Sequence, residues 1–324
     1  MEKIHVCIAF NECYAPHASA LIVSIMENKN EDDQLVFHIL ADRLSILTQK
    51  QVTSLYQCSD CEFCIIEMSD ELFKHLPAWY GAHTAYLRLL IGSVLPQNLS
   101  KILYLDSDMI VTRSLAQLYN TDITDKYAAV VAEGMGGTLY SSSFHIRGTF
   151  FNAGMILFNL AQCRSENLEA VMLSRCSQFH EQIKFADQDV LNSVFHGNVV
   201  FMPLNWNTIL FTPKMFKRYF NMLKKYGAEY CYTKEEIDSS VQQPFIIHFA
   251  SKKKPWMFGC RHPFRNLYWK YLKRTPFYSA VRIRYYWHIA TKIISIINPK
   301  TYLNRIKNHY KRLKREKTDK LSNS

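Results

Sequence analysis

From residue 4 to residue 250 the sequence alternates short apolar runs, rich in β-branched side chains, with longer stretches of helical periodicity, and few folds accept that order. The runs are Ile4 to Phe10, Leu35 to Leu40, Ile102 to Leu105, Ala128 to Ala132, Met155 to Phe158, Val199 to Met202 and Phe245 to His248. Helical patterns fall between them at Ala18 to Asn28, Ser45 to Tyr56 with Ser45 placed as a cap, Leu168 to His180 and Asp189 to Phe195. The alternation predicts an α/β fold on a largely parallel sheet covered on both faces. Ligands of such sheets gather at the carboxyl ends of strands. Asn11, Asp106, Asp108 and His248 all fall at or just past such ends.

The most chemically specific stretch is Lys101 to Val111, KILYLDSDMIV, where an apolar strand runs into two carboxylates one residue apart. Strand side chains alternate faces, so Asp106 and Asp108 are expected to point one way and Ser107 the other. Two hard carboxylates on one side suit Mg²⁺ or Mn²⁺, ions that commonly serve phosphate-bearing substrates. The plainer reading is a turn whose aspartates cap a helix.

Charge is uneven. Residues 271–324 carry 14 Lys/Arg against 2 Asp/Glu, whereas the first 270 residues carry 25 against 26. A neutral body argues against a nucleic-acid binder. After Pro276, aromatic and aliphatic residues interleave with basic ones, and Val281, Tyr285, Ile289, Ile293 and Ile297 recur every four residues. Arg282, Arg284, His288 and Lys292 interrupt the run, so a membrane-spanning helix is not expected. An interfacial helix is, with the basic segment Lys300 to Lys320 drawn to anionic lipid. The alternative is a helix packed on the body. The expected division is a catalytic body over 1–270 and a basic helical tail over 271–324.

Nine scattered cysteines do not form a disulfide framework. Cys58, Cys61 and Cys64 have ligand-like spacing, but the nearest histidine downstream is His75, and packing roles are favoured over zinc. Ile4 to Phe10 is too short for a signal peptide and reads as a first strand.

Three further motifs accompany Asp106 to Asp108: Phe151-Asn152-Ala153-Gly154-Met155, Asp187-Gln188-Asp189-Val190-Leu191-Asn192, and His248-Phe249 followed by Lys252-Lys253-Lys254-Pro255-Trp256. In this order and spacing, from about Ile4 to Trp256, the chain resembles the family 8 retaining glycosyltransferases, which include bacterial lipopolysaccharide galactosyl- and glucosyltransferases and glycogenin. The resemblance implies a GT-A fold, a Rossmann-like nucleotide-binding sandwich in which Mn²⁺, or Mg²⁺, bridges the protein to the diphosphate of a UDP-sugar. By the same resemblance Asp106, Asp108 and His248 are the metal ligands, and Lys254 pairs with the diphosphate. Asn152 touches a sugar hydroxyl, with Ser107 and Ala153 beside the donor, and Asp187 and Gln188 stand nearest the anomeric carbon as the catalytic pair. Arg88 matches an arginine that contacts the nucleotide-sugar, although an Arg on an apolar helix serves equally as an ion-pair partner. Asp189 reads better as an N-terminal acid that orders its helix. Glu133 stands near an acidic position that contacts acceptor in relatives.

The chain departs from the family pattern at two places. Phe10-Asn11-Glu12-Cys13-Tyr14 lacks the acid that usually follows the first strand, which leaves Asn11 to bond a uracil edge and Tyr14 to stack on the base. Ser251 replaces a glycine that commonly contacts the diphosphate. The reading is a retaining transfer of glucose or galactose from UDP-glucose or UDP-galactose to a hydroxyl of a bacterial surface glycan or glycolipid, in the cytoplasm at the inner face of the membrane. Front-face attack, with the departing phosphate oxygen taking the acceptor proton, is favoured over a covalent intermediate on Asp187 or Gln188. Two competitors stand beside it. A haloacid-dehalogenase phosphatase also carries Asp-x-Asp, but usually near its N-terminus. A catalytically inactive glycan-binding or membrane-scaffolding protein on the same fold would also accept Asn11 and Ser251. A dinucleotide dehydrogenase lacks its glycine fingerprint.

Overall fold

The structure, a computed structural model, describes residues 3–56, 60–78, 83–133, 149–209, 217, 221 and 232–297. Among them, seven strands form one sheet in the order β3-β2-β1-β4-β7-β6-β8. Their ranges are β1 Ile4–Asn11, β2 Leu35–Asp42, β3 Cys61–Met68, β4 Lys101–Leu105, β6 Ala128–Ala132, β7 Phe151–Asn159 and β8 Val199–Phe201. The β1/β2, β2/β3, β1/β4 and β6/β8 pairs are parallel, and β7 runs antiparallel between β4 and β6. Strand order reverses between β2-β1 and β1-β4, and such a reversal opens a crevice at the carboxyl edge.

The central strands are apolar throughout because both faces are covered: every residue of β7 is buried, as is all of β2. One face packs on the helix Ala15–Asn28, which is buried along most of its length between the sheet and the helix Arg265–Leu272. Pro16 in the first turn suits the start of the former helix, where a missing N–H costs nothing. The other face packs on Tyr86, Leu87, Leu89 and the helix Asp187–Phe195. Ser45 does cap the helix Ile46–Thr53, its Oγ accepting the Thr48 N–H at 3.1 Å.

Two strands were not read from the sequence. β3 was obscured by its cysteines; Cys61 is buried and Cys64 exposed, and three residues apart on a strand they lie on opposite faces. Cys58 lies outside the described residues. The other is β5, Met109–Val111, which pairs antiparallel with β9, Ile246–His248, in a separate two-stranded sheet. Met109 sits opposite His248, so this small ladder joins segments some 140 residues apart.

The helix Arg265–Leu272 crosses residue 270 with Tyr271 and Leu272 buried, so the packed body extends past that point. The helix Tyr278–Ile297 follows. The first half of its four-residue stripe turns toward the body, whereas Ile293 is exposed. Val281 packs on the cluster of Ala20, Val23, Phe249 and Tyr268, and Tyr285 lies edge-on to Trp269 at 5.4 Å and accepts a hydrogen bond from Arg265 at 3.0 Å. A second apolar stripe faces outward instead: Ile283 and Trp287 are each 68% exposed, with Tyr286 and Ile293 beside them. Among the described residues no helix is long and apolar enough to cross a membrane. The basic segment 300–320 and the side chain of Ile297 lie outside the described residues.

Candidate active site

The carboxyl ends of β1 and β4, the start of β7, the start of the helix Asp187–Phe195 and the end of β9 meet at one edge of the sheet. The convergence of Asp106 and Asp108 has a different origin from the pleat alternation expected of a strand. β4 ends at Leu105, and Asp106-Ser107-Asp108 form the turn into β5, with Ser107 buried. The β5/β9 ladder then delivers His248 to that turn. His248 Nε2 lies 3.4 Å from Asp108 Oδ1 and 3.8 Å from Asp106 Oδ2, and one ligand atom from each of the three residues falls within 4.8 Å of the others.

Space is reserved for this cluster by the absence of a side chain. A Cβ on Gly154 would meet His248 Cε1 at 2.4 Å, Met109 Cε at 2.8 Å and Asp106 Oδ2 at 2.9 Å. Glycine is needed here for close approach, not for a special backbone angle. The donor set of two carboxylate groups and one imidazole nitrogen, with a cradle that only glycine permits, fits a divalent cation.

Two cations flank the three ligands. Of the lysines 252 to 254 only Lys254 is buried; its ammonium contacts Asp108 Oδ2 and donates to the Phe249 carbonyl at 2.8 Å. Burial opposes charge on Asp108, but Lys254 and His248 hold its carboxyl well below the usual carboxylate range. Arg88, in the short 3₁₀ helix Thr84–Leu90, is 3% exposed and lies against two carboxylates. Its Nη2 donates to Asp106 Oδ1 at 2.7 Å, its Nη1 to the Ala153 carbonyl and its Nε to the Ala85 carbonyl, and its guanidinium lies 4.2 Å above the Tyr104 ring. Nε is also 2.9 Å from Asp187 Oδ2, but with the N–H aimed at Ala85 this contact is electrostatic, not a hydrogen bond. Burial pushes the Asp187 carboxyl up to about 7, with Arg88 opposing and Asp106 adding to the rise.

Asp187 and Gln188 are carried in by Ala186, a non-glycine residue at φ 52° and ψ −131°, a backbone state that costs on the order of 1–3 kcal/mol and that clusters at functional sites. Gln188 Oε1 accepts the Ala153 N–H at 3.0 Å and the Asn152 Nδ2–H at 3.0 Å. Asn152 Nδ2 also donates to Glu133 at 3.1 Å. Asp189, expected as an N-terminal acid that orders its helix, accepts the N–H groups of Lys184 and Phe185 in the turn before that helix.

At the β1 end Asn11 Oδ1 accepts the Tyr14 N–H at 3.3 Å, and Tyr14 lies edge-on to Trp256 at 5.9 Å. Glu12, the nearest acid in sequence, is committed elsewhere. It accepts from Ser45 and Thr48 at the start of the helix Ile46–Thr53, and although what burial it has works against charge, those bonds hold its carboxyl below the usual range. Ser251 is exposed and donates within its own loop to Lys253, so the structure does not join it to the cluster.

Residues 5–260 match the sequence profile described as Glycosyl transferase family 8. The chain belongs to that family. Among its relatives it is 28% identical over 303 residues to a lipopolysaccharide 1,2-glucosyltransferase of Escherichia coli, covering 87% of this chain and 83% of the relative. It is 25% identical over 268 residues to a putative glycosyltransferase of Haemophilus influenzae, covering 81% and 75%. A solved galactosyltransferase, LgtC, in complex with donor and acceptor sugar analogs, superposes with a TM-score of 0.71 at 22% identity, covering 84% of this chain and 96% of that one. The protein is thus a glycosyltransferase with the GT-A fold, matched to relatives that are themselves hexosyltransferases.

Three participants in this family 8 site were not legible in the sequence. Asn207, fully buried in the 3₁₀ turn Leu204–Asn207, bonds His248 Nδ1 at 2.9 Å. Tyr104 donates to Asp106 at 3.3 Å from the buried side of β4. Asp42, at the end of β2 and in register with Asn11, accepts from Thr84 at 3.2 Å. None belongs to a motif, and only the small ladder and the sheet register bring them in.

Proposed function

We propose that this family 8 enzyme transfers a hexosyl unit, glucose or galactose, from a UDP-sugar to a hydroxyl of a bacterial surface glycan such as a lipopolysaccharide or capsule precursor, with retention at the anomeric carbon. The observation that carries the reading is the meeting of Asp106, Asp108 and His248 at the carboxyl edge, with Lys254 buried against them. The naming of two relatives as a lipopolysaccharide glucosyltransferase and a galactosyltransferase supports the choice of sugar and acceptor class.

A divalent cation held by the three ligands, Mn²⁺ or Mg²⁺, supplies Lewis-acid stabilisation of the charge that builds on a departing diphosphate. The chain's own groups do the positioning. Lys254 brings a second positive charge to the diphosphate side, and Arg88 fixes Asp106 and Asp187 relative to each other. Asn152, Ala153 and Ser107 line the donor, and Asn11 and Tyr14 hold the base. Asp187 is 4% exposed and set against Arg88, which favours a holding role over attack on the sugar. The reaction is therefore read as front-face attack: the acceptor hydroxyl passes its proton to the departing phosphate oxygen, and Gln188 stabilises the oxocarbenium-like centre with its amide.

The tail supplies the acceptor's surface in this account. The outward stripe of Ile283, Tyr286, Trp287 and Ile293, bordered by Arg282 and Arg284, presents the aromatic and basic groups of a helix lying in an anionic interface. Peripheral association with the inner face of the cell membrane follows.

The test is a screen of UDP-Glc, UDP-Gal, UDP-GlcNAc and UDP-GalNAc for Mn²⁺-dependent turnover, followed by mass analysis of the host glycan in cells lacking the protein. Metal-dependent turnover of UDP-Glc or UDP-Gal and a glycan short by one hexose are expected. Absence of turnover with all four donors, together with an unchanged glycan, would overturn the reading in favour of an inactive binding protein.

A further inference from the structure

We propose that two backbone N–H groups of β7 set the working tautomer of His248 and the orientation of Gln188, with Asn207 as the positioning residue between them; the inference rests on the metal reading of the Asp106, Asp108 and His248 cluster. Side-chain amides can be turned end for end and imidazole protons can sit on either nitrogen, so the assignment has to be anchored on donors that cannot be exchanged. The strand start supplies two. The Gly154 N–H donates to Asn152 Oδ1 at 3.0 Å, and the Ala153 N–H donates to Gln188 Oε1 at 3.0 Å.

The first anchor propagates. Because Asn152 Oδ1 must be the oxygen, its Nδ2 is the end that faces Glu133 and Gln188, where it finds two acceptors. Asn207, 2.8 Å from that same Asn152 oxygen, must present its own Nδ2 to it. Its Oδ1 is then the atom at 2.9 Å from His248 Nδ1, so that nitrogen carries the proton. The unprotonated Nε2 is left on the side of Asp106 and Asp108, where a metal ligand needs a lone pair. The second anchor fixes Gln188 with its oxygen at the start of β7, so that the negative end of the amide lies beside Asn152 and Ala153. One strand start therefore orients groups at both ends of the bond being broken, and neither orientation depends on a bound substrate. Asn207 is fully buried and Asn152 nearly so, so water does not compete for these bonds. Second partners of this kind commonly change metal affinity 10- to 100-fold when removed.

The experiment uses full-length protein with ¹⁵N-histidine labelling and no added nucleotide. Imidazole nitrogen shifts are recorded over a pH series so that the tautomer is read from the neutral ring, and Mn²⁺ affinity is measured by calorimetry for wild type, Asn207→Ala and Asn207→Asp. His248 in the wild type is expected as the Nδ1–H form. Asn207→Ala is expected to mix the tautomers and weaken Mn²⁺ about 10- to 100-fold, while Asn207→Asp, which keeps an acceptor at Nδ1, stays closer to wild type. A wild-type His248 protonated on Nε2 overturns the proposal even if no variant folds. So does an Asn207→Ala protein with unchanged tautomer and affinity. If the wild type binds no Mn²⁺ at all while His248 is the Nδ1–H form, the failure belongs to the metal reading and not to the relay.

Discussion

The two ends of the proposed donor crevice are built differently. At the metal end, a chain of partners fixes the side chains: His248 by Asn207, Asn207 by Asn152, Asn152 by a backbone N–H, and Asp106 by Arg88 and Tyr104. At the base end, Asn11 reaches the Tyr14 N–H at 3.3 Å and Thr84 only at 3.5 Å, and Tyr14 touches its neighbours through ring edges. The chemistry at the first end tolerates little error in position, because stabilisation of developing charge depends on preorganised groups. Binding a flat base tolerates more. The missing acid at position 11 illustrates this. Thr84 has one hydroxyl proton and gives it to Asp42, in register with Asn11, so position 11 must offer Thr84 a donor. An amide does so; a carboxylate would not.

The largest expected effect that would break the contrast is Gly154→Ala. Its Cβ would sit inside contact distance of His248, Met109 and Asp106, three groups that hold one another in place. Transfer should fall at least about 100-fold with a matching loss of Mn²⁺ affinity, measured by turnover and calorimetry. Near-normal activity would show the metal end to be as yielding as the base end.

A second prediction concerns pH and the wall beneath Tyr14. His17 is buried, stacked on Trp256 at 3.4 Å, and bonded to Tyr268 at 2.7 Å. Burial lowers its pKa to about 3, with Asp108 opposing, and burial lowers that of His38 to about 4. Both are neutral in the fold and charge more readily when unfolded, where the value is near 6.5. Stability is therefore present above pH 6.5 and is lost as pH falls from there through the folded values, with a limiting slope of about 1.4 kcal/mol per pH unit for each group. Denaturant titrations at pH 7.5, 6 and 5 read this. A His17→Gln variant with an identical pH profile would contradict it.

The smallest effect sharpens the comparison. Asn11→Asp should lower stability by about 1 kcal/mol, the scale of a hydrogen bond exchanged for an unsatisfied acceptor, and Asp42→Asn in the same chain should recover most of it. Chemical denaturation of the four proteins of the cycle measures the coupling. Additive losses would remove the account of why this chain lacks the acid.

The same contrast explains what the sequence could tell. The sheet was legible because β1, β2, β4, β6 and β7 are buried on both faces, and burial leaves continuous apolar runs. β5 has three residues directly after the aspartate pair, too few to stand out as a strand of its own. Asp106, Asp108 and His248, which could hold a metal ion, stood out as motifs, since that chemistry restricts residue type. Lys254 could not be separated from Lys252 and Lys253 by type, only by burial. Asn207 left no trace, because what qualifies it is a place 2.9 Å from an imidazole nitrogen. The tail shows the converse: the stripe at Val281 and Tyr285 was visible, but periodicity does not say whether a stripe faces lipid or the protein's own body.

The central claim is that Asp106, Asp108 and His248 act together as one cation site serving sugar transfer. Calorimetric titration of Mn²⁺ into wild type and Asp108→Asn, with thermal unfolding recorded on both, tests it most directly. The account predicts one Mn²⁺ per wild-type chain, binding reduced beyond detection in the variant, and a folded variant without transferase activity. Full Mn²⁺ binding and full turnover in a folded Asp108→Asn protein would contradict it.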